Sequence, residues 1–114
     1  MTIRETIEAF FHAENRRDWS TYEALVDPEV EAVSFGPPGR ESVRGRVQFV
    51  EEVKRAYGDR PSTFTVVHLL TDERQNLAIA EIEIEGRRSV DVFELRHGRI
   101  WREREYFDDA YWTR

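Results

Sequence analysis

The sequence has no cysteine, which excludes disulfides, thiolate nucleophiles and iron–sulfur ligation, and with them the small extracellular scaffolds that depend on disulfides. It has no apolar run near the ~18 residues of a membrane-spanning helix, and Met1-Thr2-Ile3-Arg4-Glu5 lacks the basic start and apolar stretch of a signal peptide. A cytoplasmic protein with no membrane partner is expected. Positive charge is in deficit. The net charge of -6 at pH 7 repels phosphate backbones and anionic headgroups, so no nucleic-acid partner is expected either. A glycine-rich phosphate loop is also missing, because Gly36-Pro37-Pro38-Gly39 is rigid and donates few backbone amides. His12, His68 and His97 are far apart and match no zinc spacing, so neither a metal nor an organic cofactor is expected.

What is present suits one small domain spanning residues 1–114, long enough to bury roughly two-thirds of its unfolded surface. Charged residues make up 35% of the chain, above the roughly 25% of ordinary soluble proteins, so the core must be economical and the surface ionic.

Thr2-Ile3-Arg4-Glu5 has the form of a capping box, and Ile3, Ile7, Phe10, Phe11 and Glu14 follow at helical spacing, which predicts a helix over 3–15. Ser20-Thr21-Tyr22-Glu23 reads as a second capping box opening a short helix ended by Asp27-Pro28, with Trp19, Tyr22, Leu25 and Val26 on its buried side. Alternation over 30–35 predicts a strand stopped by Gly36-Pro37-Pro38-Gly39, with a short return strand over 40–44. Phe49, Val50, Val53 and Tyr57 predict a third helix over 46–57. Four strand-like runs then follow, at 63–70, 77–85, 88–95 and 99–107, forming an antiparallel meander. Ala78, Ala80, Ile82 and Ile84 alternate with Glu81, Glu83 and Glu85, so one sheet face is apolar and covered by the helices while the other is wet. Glu85-Gly86-Arg87 and His97-Gly98-Arg99 are the expected hairpin turns.

This order of elements, together with the run from Val90 to Ile100 and Glu105-Tyr106-Phe107-Asp108, resembles the nuclear transport factor two-like superfamily, most nearly its SnoaL-like branch. The most specific parts are the hairpin carrying Phe93, Gly98, Arg99 and Ile100 and the Tyr106-Phe107-Asp108 segment. The resemblance covers nearly the whole chain. It implies an α+β, cystatin-like cone, in which a strongly curved and mostly antiparallel sheet wraps around the N-terminal helices. It further implies that the open end admits a small apolar molecule, and that a homodimer forms through the outer sheet face.

The superfamily hosts isomerases, cyclases, epoxide hydrolases, dehydratases and binding modules, so residues must decide the chemistry. By resemblance to the ketosteroid isomerases, Asp91 takes the place of their oxyanion-binding Asp, but their general base falls on Val33 or Ser34 and their helix 1 Tyr on Phe10 or Phe11. By resemblance to the limonene-type epoxide hydrolases, Glu105 takes the place of one catalytic Asp, but their Arg and second Asp fall on Ile82 and Ile84. Resemblance to the polyketide cyclases asks only for one well-placed acid/base and a shaped pocket.

Period-two alternation puts Trp101, Glu103, Glu105 and Phe107 on one face of the last strand and Ile100, Arg102, Arg104, Tyr106 and Asp108 on the other. The resemblance turns the first set, and Ser89, Asp91 and Phe93 of the preceding strand, toward the pocket. Asp91 and Glu105 then lie side by side as an acid/base pair, each raising the other's pKa. Asp91 is the expected donor to a substrate oxygen and Glu105 the group that moves the proton. The alternatives are an ion pair of Asp91 with Arg87 or Arg104, and a solvated or Arg-paired Glu105. The expected ligand-binding residues are Trp19, Tyr22, Ser34, His68, Ile82, Ile84, Trp101, Glu103 and Phe107. Two functions remain open: a cofactor-independent cyclase, isomerase or dehydratase, and a binding or accessory module without chemistry. A cone packed solid by aromatics is a third architecture. Tyr111-Trp112 is a candidate for closing the pocket or meeting a partner.

Overall fold

In the computed structural model, which describes residues 1–36 and 39–108, α1 (Ile3–Arg16) starts at the capping box: Thr2 accepts from the Glu5 backbone and Glu5 accepts from the Thr2 backbone. It ends at Arg17, whose left-handed backbone (φ 59°) closes the last turn. The Arg17 side chain then donates to the carbonyls of Arg60 and Ser62, fixing the end of α1 against the segment after α3 (Arg46–Tyr57).

The second helix departs from expectation. α2 (Trp19–Ala24) is capped by Asp18, which accepts from the Thr21 backbone, and not by Ser20, so the helix starts two residues earlier than the Ser20 reading places it. Asp27-Pro28 does not end it either. These residues belong to β1 (Val26–Gly36), at an irregularity between Val26 and Glu31 where a residue without an N–H is tolerated. Buried Asp27 is held there by Arg96, with two N–H···O bonds of 3.1 Å, and accepts from the Glu29 backbone.

β1 pairs with β2 (Gly39–Arg44) on one side and, in parallel, with β6 (Arg99–Phe107) on the other. β3 (Thr65–Asp72), β4 (Leu77–Ile84), β5 (Arg87–Arg96) and β6 form the antiparallel meander, giving the order β2-β1-β6-β5-β4-β3 in a curved open sheet. The β4–β5 and β5–β6 turns are two-residue loops in which Glu85 and Gly86, and His97 and Gly98, all take positive φ, the type I′ geometry that matches strand twist. Pro37 and Pro38, between the paired Gly36 and Gly39, lie outside the described residues, as do Tyr111 and Trp112.

The helices cover the concave face as the alternation on β4 requires: Ala78, Ala80 and Ile82 are buried with Ile7, Phe10 and Phe11. Phe10 stacks on Tyr22 at 4.3 Å, and Phe11 meets Phe64 and Phe93 edge-on. The outer face carries Arg88 between Glu81 and Glu83, so part of the acidic strand's charge is offset from within the same chain. No helix among the described residues is long and apolar enough to cross a membrane.

Candidate functional site

Between α1, α2, α3 and the concave face of β4, β5 and β6 lies a cavity of about 260 Å³. Recesses of about 190 Å³ toward Arg87 and Ser89, and of about 240 Å³ toward Ala32, Val33 and Ser34, adjoin it, and Glu105 and Phe107 line all three. The aromatic cone is therefore not packed solid. Its wall is mostly Phe, Ile and Tyr, yet four carboxyl groups face it: Glu14, Asp91, Glu103 and Glu105.

Strand register sets three of the four. Opposed across β5 and β6 are Ser89 and Phe107, Asp91 and Glu105, and Phe93 and Glu103, so these six share the inner face. In the parallel pairing with β1, Ser34 is the partner of Glu105, which brings the Ser34 recess beside the acids. Asp91 is 4% exposed and forms no ion pair with Arg104, which instead binds Glu94 at 2.6 Å. The Asp91 Oδ1 atom has no hydrogen-bond partner.

Burial sets the protonation. It pushes the Asp91 carboxyl well above the usual carboxylate range, and the charges of Glu105, Glu103 and Glu14 push it further the same way. Glu103 is raised for the same reasons, burial first and then Glu105 and Glu14. Glu105 rises only to about 7, because hydrogen bonds from Asp91 and Ser89 favour its ionised form against burial and the Glu14 charge. The two carboxyl groups therefore hold a proton between them above the ordinary carboxylate range.

The sequence matches the SnoaL-like domain over residues 7–103, which spans α1 to the middle of β6. This chain belongs to the SnoaL-like family. Solved structures agree with its place among nuclear transport factor two-like folds. A protein of Kribbella flavida DSM 17836 provisionally termed a ketosteroid isomerase is 25% identical, with a TM-score of 0.78 over 96% of this chain and 79% of that one. An NTF-2 like protein of unknown function from Burkholderia xenovorans LB400 is 26% identical, with a TM-score of 0.76 over 94% and 83%. An M. tuberculosis LEH-like epoxide hydrolase, 24% identical with a TM-score of 0.68 over 94% and 82%, shares the fold. No curated protein matches the sequence.

Within this SnoaL-like cone, Tyr22, Ile82, Glu103 and Phe107 line the main cavity, with Ile84, and Ser34 lines the adjoining recess. Three expected ligand-binding residues lie elsewhere. Trp101 is displaced by a bulge: Glu94 faces Arg102 but Leu95 faces Ile100, so β6 holds one extra residue and its alternation reverses. Ile100 is consequently fully buried, and Trp101 sits between the guanidinium groups of Arg96 and Arg102 at 4.5 and 4.0 Å. His68 is on the outer face, its side chain 74% exposed and paired with Glu81 at 2.8 Å, because it stands opposite Glu81 after a shift in the β3–β4 register. Trp19 packs edge-on behind Tyr22 and is absent from the cavity wall.

Two site residues escaped the sequence reading as functional groups. Glu14 reaches the cavity from α1 and accepts a hydrogen bond of 2.5 Å from the Tyr57 hydroxyl of α3. Burial raises Glu14, while Tyr57, Tyr22 and Arg17 partly offset that rise. The signal was available, since a Glu on the same helical stripe as Ile7, Phe10 and Phe11 must face the sheet. Asp91, Glu103 and Glu105 each offer an oxygen within 4.8 Å of the others, a spacing open to an oxygen-ligated cation. Their raised affinity for protons opposes that use at neutral pH, and no His or Cys joins them.

Proposed function

We propose that this SnoaL-like protein binds a small, largely apolar carbonyl compound in the cavity and moves a proton on it, as in a cyclisation, isomerisation or dehydration. The observation that carries this reading is the direct opposition of Asp91 and Glu105 on the inner face, both held above the usual carboxylate range, with no cation paired to either among the described residues. Glu105, near half-ionised at neutral pH, takes the proton from the carbon beside the carbonyl. Asp91, as the neutral acid, turns its open oxygen to the substrate oxygen and donates as negative charge develops there. Glu105 then returns the proton at a second atom, leaving both groups as they began. Ile82, Ile84, Tyr22 and Phe107 exclude water, and Ser34 offers a hydroxyl at one side. Among the described residues the two acids form no salt bridge, and they line a cavity and not a filled core, which favours chemistry over a binding module.

The test is deuterium incorporation from heavy water into small cyclic enones and β-diketones, followed by NMR near neutral pH. Glu105→Gln is expected to slow exchange by about 100- to 10,000-fold, and Asp91→Asn by about 100-fold or more. Exchange that both variants carry out at the parent rate overturns the assignment. A homodimer through the outer face is part of the same proposal, supported by the exposed, mutually paired Leu70 with Ile79 and Val90 with Tyr106. A monomeric mass by light scattering at micromolar concentration would count against it.

A further inference from the structure

Against the four carboxyl groups of the main cavity stands one cationic side chain in its described lining, Arg60. Arg60 is engaged elsewhere: its guanidinium donates to the carbonyls of Ala56 at 2.6 Å and Tyr57 at 3.3 Å and pairs with Glu85 at 3.7 Å. Two of the acids have partners of their own. Glu14 is bound by Tyr57, and Glu105 accepts from Ser89 at 3.3 Å. Asp91 shares a hydrogen bond with Glu105 through one oxygen only, and Glu103 completes the cluster. Asp91, 4% exposed, lines the cavity with its Oδ1 atom lacking a hydrogen-bond partner, and Glu103 lines the same cavity beside it.

A neutral guest leaves this like-charged cluster as it is. A guest with one positive charge takes the place of a proton in the cluster and pairs with the carboxylate so formed, across a low-dielectric interior where such attraction is strong. Its N–H groups also form charge-assisted hydrogen bonds to an acceptor that now has none.

We infer that the cavity takes a small organic ammonium compound, an apolar skeleton bearing one protonated amine seated on Glu103, with Asp91 left for a neighbouring oxygen. This rests on the reading of the cavity as a ligand site and narrows its substrate class to amino-carbonyl compounds. The Glu103 and Asp91 oxygens lie within 4.8 Å of each other, so the amine and the carbonyl are close together on the skeleton.

The experiment is isothermal titration of the full chain at pH 7 with an isosteric pair, 3-phenylpropylamine and 3-phenylpropan-1-ol. The amine is expected to bind about tenfold or more tightly than the alcohol, the range of one charge-assisted hydrogen bond. Glu103→Gln is expected to abolish the preference while alcohol binding persists, and retained alcohol binding itself reports an intact cavity. Equal affinity of the parent protein for both probes overturns the ammonium inference and leaves the ligand-site reading standing. Binding of neither probe overturns both. The parent comparison needs no variant, so poor folding of Glu103→Gln does not blunt it.

Discussion

Asp91 and Glu105 stand opposite one another on β5 and β6, two carboxyl groups on the inside of a sheet with no cation paired to them among the described residues. Such a pair binds protons more tightly folded than unfolded. Its contribution to stability is therefore complete below the ordinary carboxylate range and is lost as pH rises through about 7, where Glu105 ionises. The melting temperature is expected to fall between pH 5 and pH 8 in scanning calorimetry. A rise over that window would mean the acids are paired with cations.

Asp91→Asn replaces the protonated acid by a group of the same shape that cannot ionise. Little change in stability is expected at pH 5, with a gain over the parent that grows toward pH 9 as the parent's acids are forced to share charge. Calorimetry across the same pH series compares the two slopes, and parallel slopes would remove Asp91 from the coupled group.

Tyr57→Phe deletes the hydrogen bond to Glu14 and leaves a cavity-lining carboxyl with less support. A loss of about 1–2 kcal/mol is expected in urea unfolding near pH 7. In a Glu14→Gln background the same change is expected to cost less, and an unchanged cost would show that the tyrosine acts through packing alone.

The bulge on β6 makes an ordering testable. Ile100→Ala opens space in a fully buried site and is expected to cost about 2–5 kcal/mol. Trp101→Ala removes a ring held between two arginines at the surface and is expected to cost about 1–2 kcal/mol. Chemical denaturation of both variants gives the order, and its reversal would place Trp101 on the inside.

Excess EDTA is expected to leave the melting temperature and its pH dependence unaltered, because protons and not a cation relieve the repulsion among Asp91, Glu103 and Glu105. A shift on chelation, restored by Mg²⁺ or Mn²⁺, would contradict this.

The inward placement of Asp91 and Glu105 was legible because β5 and β6 stay in regular register from Ser89 to Glu94, where alternation alone fixes the face. Trp101 and Ile100 were not legible, since a single inserted residue reverses alternation and arises where Leu95 and Ile100 settle into the core. His68 fails for the same reason on β3, where the register slips between Val66 and His68. The start of α2 was read from the capping box at Ser20, whereas Asp18, two residues earlier and equally able to accept from a helix N-terminus, is the cap. Glu14 and Tyr57 were each visible on a helical stripe. Their meeting depends on how α1 and α3 approach, which Arg17 and Asn15 fix through loop carbonyls distant in sequence.

The parallel pairing of β1 with β6 joins an early strand of the chain to the last one. During synthesis, β1 and β5 must each wait with an unpaired edge until β6 emerges from the ribosome, an interval in which either edge can recruit another chain. Glu103 and Glu105 arrive on that same strand, so the strand that seals the sheet also carries half of the cavity's carboxylates. Chains that release before β6 docks would lack both a continuous sheet and two of the cavity's four carboxyl groups.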